Sequence, residues 1–501
     1  MSSIHEQAMN YVYQQVLQRL LSYLNRAERT ALQLLIQRLI VAAGGIEHIS
    51  QFTVLVAFSG GKDSAYTVAM VRAAQLSIAG RAPATFRLRV ANMRHPGMTS
   101  AVMDNIHRCY SALFLNDDPR VELLVVDHQY VQSFEPDLPL SNSGLEQSRS
   151  DMLLGGHLTA GDARTTFCNS CYLGMAEFLG RAACWGTGVD VVVSGDSVRE
   201  QKQYATWIMR LARRSGQSIT NWHNLSFSAA LKAIDTVGRL YYRELYGDLD
   251  PPEGFAERPL GYPNKSVAPA FLAVADLIGF RTEEHWSLLT EFLGFRFSDL
   301  AFSFSESDCA NPLLMAHMRG LKAQFVQNRR YADGIAEYLE LARNIMRRKH
   351  MPRRLIEQAM AAYDSAEKLE ERRVLAAGYA QEALGLNEAQ LVCMLFAPFV
   401  DRGAQLEEFL RRCHPGMLVA LAELHNALSG QPAPEQVLQW LLEVSGLTLQ
   451  GLENLYAKQR VNFSDESSLI ARVRASDPDK RHVMTVDSFT GEAVSELISG
   501  R

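Results

Sequence analysis

The sequence predicts an α/β fold, a parallel sheet with helices on both faces, followed by an all-α C-terminal region. Three observations predict it. Short apolar runs at Thr53 to Phe58, Thr85 to Ala91, Val121 to Val126 and Val189 to Ser194 alternate with stretches of helical spacing. Apolar strands separated by helices form parallel sheets covered on both faces. From about Met315 to Leu447 the pattern is helical, with no strand signal.

Residues 4 to 43 carry apolar side chains at helical intervals (Met9, Val12, Val16, Leu20, Leu21, Leu24, then Ala27 to Ala42), and Gly44-Gly45 stops the pattern. Two packing helices are expected ahead of the first strand. That strand runs into Ser59-Gly60-Gly61-Lys62-Asp63-Ser64, and a helix is expected over Ala65 to Leu76. Glycines let backbone N–H groups approach an anion closely, and a helix start adds free N–H groups and a positive dipole end. Ser59 and Ser64 add hydroxyls, and Lys62 adds a charge. A polyphosphate is the natural guest. The string lacks the spacing of the Walker loop.

In parallel sheets ligands sit beyond the carboxyl ends of the strands. The glycine loop, Asn92 and Gly195 all fall there, and Asn92 and Met93 are placed to face an adenine. Pro136 to Gly161 is mostly polar and reads as an ordered or mobile excursion over the site. Pro251 to Gly254 makes another break, and the tail from Asn462 is polar with one short strand expected at His482 to Val486. The divisions expected are N-terminal helices (1–50), a nucleotide domain (51–320), a helical domain (321–460) and a tail (461–501).

Composition narrows the class. The chain has 501 residues, 47% apolar and 21% charged, with net charge −5. These values suit a globular protein and give no bulk field for polyanions. No apolar run spans a bilayer, and the N-terminus lacks the pattern of a secretory signal. Seven scattered cysteines argue against a disulfide framework, and a cytoplasmic protein is expected.

Thr165-Thr166-Phe167-Cys168-Asn169-Ser170-Cys171 holds a C-x-x-C ahead of a helix (Leu173 to Cys184). The spacing suits one metal, a corner of a cluster or a redox pair, or is chance in a core, and a helix N-terminus stabilises thiolates. Cys184 and Cys393 read as core residues; Cys109 and Cys413 show no partner pattern. Arg343, Arg347, Arg348, Lys349, Arg353 and Arg354 gather near His350, and Arg210, Arg213 and Arg214 form a second group. Such runs are usually solvated helix faces but can meet RNA phosphates. Aromatic residues are not interleaved with these arginines, so base stacking is not indicated.

Ser59 to Ser64 is identified as the signature of the PP-loop ATP pyrophosphatases, and it implies their adenine nucleotide alpha hydrolase-like fold. The order of that loop, Asn92-Met93-Arg94-His95-Pro96-Gly97, Thr165 to Cys171, Arg258-Pro259-Leu260-Gly261-Tyr262 and Cys309 resembles the tRNA 2-thiocytidine synthetase group of sulfurtransferases. The resemblance covers roughly residues 50 to 320. It implies that ATP adenylates a substrate carbonyl with release of pyrophosphate, and that Cys168, Cys171 and Cys309 hold a [4Fe–4S] cluster with one iron open to sulfide. It implies ATP contacts at Ser59, Gly60, Gly61, Lys62, Asp63, Ser64, Asn92, Met93, Gly195 and Asp196. Lys62 would neutralise the phosphates, and Asp63 would hold Mg²⁺ or cap the turn. The group's Gly-His-His-x-Asp-Asp is replaced by Gly195-Asp196-Ser197-Val198-Arg199-Glu200, leaving Asp196 or Glu200 as a carboxylate for Mg²⁺. The expected partners are a sulfur donor and a small-molecule substrate or tRNA, with no membrane; the oligomeric state is not indicated. Two other readings stand beside this one. A PP-loop amide-forming ligase would use Cys168 and Cys171 for structural Zn²⁺, and a non-catalytic protein would keep the nucleotide fold to bind a partner.

Overall fold

The computed structural model describes residues 3–128, 130–194, 206, 208–213, 227–247, 249, 269–272, 274, 276–277, 284–297, 312–348, 351–475, 480–486 and 493–499. Helices α1 (Ser3–Tyr23) and α2 (Arg26–Ala42) come first. Asn25 starts α2 through a reciprocal capping box with Glu28, which satisfies two of the N–H groups that a helix start leaves over. Then follow β1 (Thr53–Ala57), α3 (Lys62–Ala79), β2 (Arg87–Met93), α4 (Ser100–Ala112), β3 (Val121–Asp127) and the short β4 (Tyr130–Ser133). Helices α5 (Asn142–Leu158), α6 (Ala163–Phe167) and α7 (Asn169–Cys184) lead to β5 (Val191–Ser194).

The strand order is β4-β3-β2-β1-β5-β6, where β6 is Ala270–Phe271. All pairs are parallel except β3 with β4, which turns back at His128 and pairs antiparallel on the edge. The chain walks outward from β1 to β3 and then crosses to the other side of β1. The switch point therefore lies between β1 and β5, where Ala57 pairs with Ser194. Crevices at such points hold ligands in open α/β sheets.

Side chains alternate across the sheet and feed two cores. Val54, Val56, Leu88, Val90, Val191 and Val193 face α1 to α4. Leu55, Ala91, Leu124, Val126 and Val192 face α5, α7 and α8 (Phe227–Tyr246). This second core continues into the helices that begin at α9 (Pro312–Leu321). They include α10 (Tyr331–Arg348), α11 (Arg353–Ala361), α12 (Ala366–Leu384) and α13 (Glu388–Phe396). The helical pattern from Met315 to Leu447 is thus present, and the tail strand is present with a partner: Lys480–Val486 pairs antiparallel with Ala493–Ser499.

One expectation is overturned. Pro136 to Gly161 is not an excursion but mainly α5, whose half from Asp151 to Leu158 is buried. Ser141 caps it by accepting from the Gly144 N–H. Gly156 lets α13 come close: a Cβ there would lie 2.3 Å from Met394 Sδ. The polar residues that disguised the helix occupy its first turns. Among the described residues, no helix is long and apolar enough to cross a membrane.

Candidate active site

β1 is buried throughout its first four residues, because five consecutive apolar or β-branched side chains feed both cores. Pairing persists one residue beyond it, where the Phe58 N–H donates to Ala91 O at 2.9 Å. The chain then leaves the sheet through Gly60 at φ +80°, a backbone conformation that costs other L-residues about 1–2 kcal/mol. A Cβ at Gly60 would also lie 2.6 Å from Val102 Cγ1 and 3.0 Å from Ile106 Cγ1. Conformation and space both require glycine here, and α4 is the wall that leaves no room.

Gly61 occupies the N-cap of α3, and no side chain caps that helix. Two serines brace the loop from within. Ser59 Oγ lies 2.9 Å from Ser64 Oγ and accepts from the Gly61 N–H at 3.3 Å, and Ser64 Oγ donates to Gly61 O at 3.0 Å. Lys62 is only 5% exposed. Its ammonium donates to both carboxylate oxygens of Asp63, at 2.9 and 2.8 Å. A buried ammonium needs a counter-charge, and Asp63, more exposed than its partner, supplies one. The loop thus presents glycine backbone, an uncapped helix start and a shielded cation at the sheet's switch point. An oxyanion fits this donor set.

Asn92 lies at the end of β2 but is fully buried. Its Nδ2 donates to Phe58 O at 2.6 Å, and its Oδ1 accepts from Tyr110 OH at 2.6 Å. It therefore ties β2 to the root of the glycine loop. Met93, next along, is half-buried. Arg94 donates to the carbonyls of His95 and Met98 and holds the following turn in place. Burial pushes its pKa down, opposed by the charge of Asp127. Asp127 closes β3, is buried, and accepts from the Ser141 N–H at 2.7 Å. These supporting roles of Val102, Ile106, Tyr110 and Asp127 had no signal in the sequence, since they depend on which strand ends become neighbours.

Cys168 is buried and forms the boundary between α6 and α7. Cys171 lies in the first turn of α7, and its side chain is outside the described residues. Gly195, Asp196, Glu200 and Cys309 also lie outside the described residues. Among the described residues no group of three His, Cys, Asp or Glu side chains is placed to hold a metal. Cys393 and Cys109 are fully enclosed thiols whose pKa burial raises, as expected for core cysteines in the first case. Cys184 is half-buried, and burial pushes the Cys413 thiol up to about 11.

Arg343 and Arg347 project from α10 and Arg353 from α11 into one cleft. Arg348 belongs to α10, whereas Lys349 and His350 lie outside the described residues; Arg210 and Arg213 are described and Arg214 is not. Folding also brings an aromatic ring to this cluster that sequence order conceals. The Arg354 guanidinium lies 4.1 Å from the ring centre of Trp286, which stacks on Phe297 at 5.4 Å.

No family model, curated protein or solved structure matches the chain.

Proposed function

We propose that the chain is a PP-loop ATP pyrophosphatase that adenylates a substrate carbonyl and then transfers sulfur to it. The observation that carries this reading is the loop between β1 and α3: left-handed Gly60, N-cap Gly61 and buried Lys62 at the switch point of a parallel sheet. In the first step a carbonyl oxygen attacks the α-phosphorus of ATP, the bond to the β-phosphate oxygen breaks, and pyrophosphate leaves. Negative charge grows on the departing oxygens. Backbone N–H groups at the α3 start and the Lys62 ammonium stabilise it, because they are fixed before the reaction begins. On binding, the Lys62 ammonium would exchange its contact with Asp63 for phosphate, and the more exposed Asp63 carboxylate would then hold Mg²⁺.

In the second step a sulfur nucleophile attacks the adenylated carbon and AMP leaves. Cys168, at the entry to α7, and Cys171, in its first turn, would hold a [4Fe–4S] cluster together with Cys309. Bound there, the cluster would supply the position from which sulfide is delivered. The substrate class is a small metabolite or a tRNA base.

The test is pyrophosphate release from ATP by the anaerobically purified chain, with iron, sulfide and zinc analysis of the same sample. Lys62→Ala should lower turnover by at least about 10²-fold with the fold retained. Turnover unchanged by this substitution removes the assignment. A colourless protein that contains zinc and no iron replaces sulfur transfer with amide formation.

A further inference from the structure

The helices α10 and α11 flank an open cleft of about 760 Å³ lined by Arg343, Arg347, Met351, Arg353, Ile356, Glu357 and Met360. Arg343 and Arg347 are one helical turn apart, so their side chains share a face. Both are exposed, and neither has an ion-pair partner among the described residues. Arg353 reaches Glu357 at 2.7 Å, so one of the three charges is compensated.

The first turn of α11 is built against the helix dipole. Arg353 and Arg354 occupy its first two positions, the turn carries no acidic residue, and Pro352 offers no side-chain cap. Cations at a helix N-terminus are unfavourable, and the free N–H groups there favour an anion. Arg347 near the end of α10 complements that helix's dipole, but the same account does not extend to Arg343, a turn further in, or to Arg353. Local conflicts of this kind are expected at functional or strained sites. Met351, Ile356 and Met360 add an apolar lining to the same cleft.

We propose that this cleft binds a phosphorylated small molecule with an apolar or planar moiety, of the size of a nucleoside polyphosphate. Its phosphates meet Arg343, Arg347 and the α11 start, and its organic part lies on the methionines. The volume is that of a small-ligand pocket. A polynucleotide surface fits less well, because Trp286 is engaged with Arg354 and Phe297 rather than presented as a platform for a base. The site is separate from the glycine loop and stands whether or not the loop turns over ATP.

The experiment is equilibrium dialysis of labelled ATP with the full chain, Lys62→Ala, and the double variant Arg343→Ala/Arg347→Ala. Both arginines are exposed, so the double variant should keep its helical circular dichroism and melting temperature. The intact chain should bind two ATP. The double variant should lose one site, with affinity there at least tenfold weaker, and should keep its pyrophosphate release at saturating ATP. Lys62→Ala should retain the cleft site. Inorganic pyrophosphate should compete there at least tenfold more weakly than ATP, because it leaves the apolar lining bare. Unchanged ATP stoichiometry and affinity in the double variant overturn the proposal. So does a double variant that loses only binding of a 20-nucleotide single-stranded RNA. If the double variant loses a site and Lys62→Ala changes neither binding nor turnover, the cleft stands and the glycine-loop reading fails.

Discussion

Lys62 and Asp63, adjacent in the chain, face one another across 2.8 Å at the first turn of α3. The pair gives a lysine that is nearly fully buried a counter-charge beside a glycine loop. It also sets the first step of any phosphate binding, which is the exchange of one counter-anion for another.

Lys62→Met keeps the apolar stem and removes the ammonium. Pyrophosphate release should fall by about 10²–10³-fold, the usual loss for one preorganised donor to developing charge. The melting temperature should change little, since Asp63 is left with access to water. A matched loss of activity and cooperative unfolding would instead mean that the lysine is structural.

Gly60→Ala should weaken ATP binding and destabilise the fold together. The left-handed φ alone costs about 1–2 kcal/mol, and the new Cβ must displace Val102. Nucleotide titration reads the first effect and chemical denaturation the second. A variant with wild-type stability would show that the loop relaxes at no cost.

Arg72 and Asp118 form a salt bridge of 2.8 Å with both side chains fully enclosed. Arg72 also donates to the carbonyls of Leu113 and Phe114 and to Gln75, and so ties α3 to the end of α4. Removing one partner of a buried pair costs about 3–5 kcal/mol. Arg72→Met should fall toward the lower end, because Arg120 still reaches Asp118 at 2.7 Å. Urea unfolding of the variant measures it.

His157 is fully buried on α5, beside Phe399, and neither ring nitrogen has a hydrogen-bond partner among the described residues. Burial lowers its pKa to about 3. The unfolded chain binds a proton near pH 6.5 and the native chain does not. The contribution to stability is therefore complete above about pH 6.5 and declines as pH falls toward 3, by about 1.4 kcal/mol per unit. His157→Phe should flatten that slope in denaturation curves between pH 6.5 and 5. An unchanged slope would assign the acid sensitivity to other groups.

Much of this architecture was legible in the chain itself. Four apolar strands, the two leading helices and the long helical region all follow from local periodicity, because burying an apolar face dictates the spacing of the residues that form it. The glycine loop was legible for the same reason: a strand, two glycines and a helix start are neighbours in sequence and stay neighbours in space. The edge strands β4 and β6 were missed because they are only four and two residues long and take their form from the strand beside them. Helix α5 was missed because its polar first turns hide an apolar half that only α13 makes sense of. Asn92 shows the limit most clearly. Its position at a strand end was readable, but its bonds to Phe58 and Tyr110 depend on residues 34 and 18 positions away. The same holds for the cleft: the arginines were visible as a run, but the approach of Arg354 to Trp286, 68 positions away, arises only when distant segments pack. The sequence determined which segments form strands and helices and where the glycine loop begins. Tertiary structure decided which side chains point at that loop and which brace it, because side-chain direction is set by partners that sequence order does not place together.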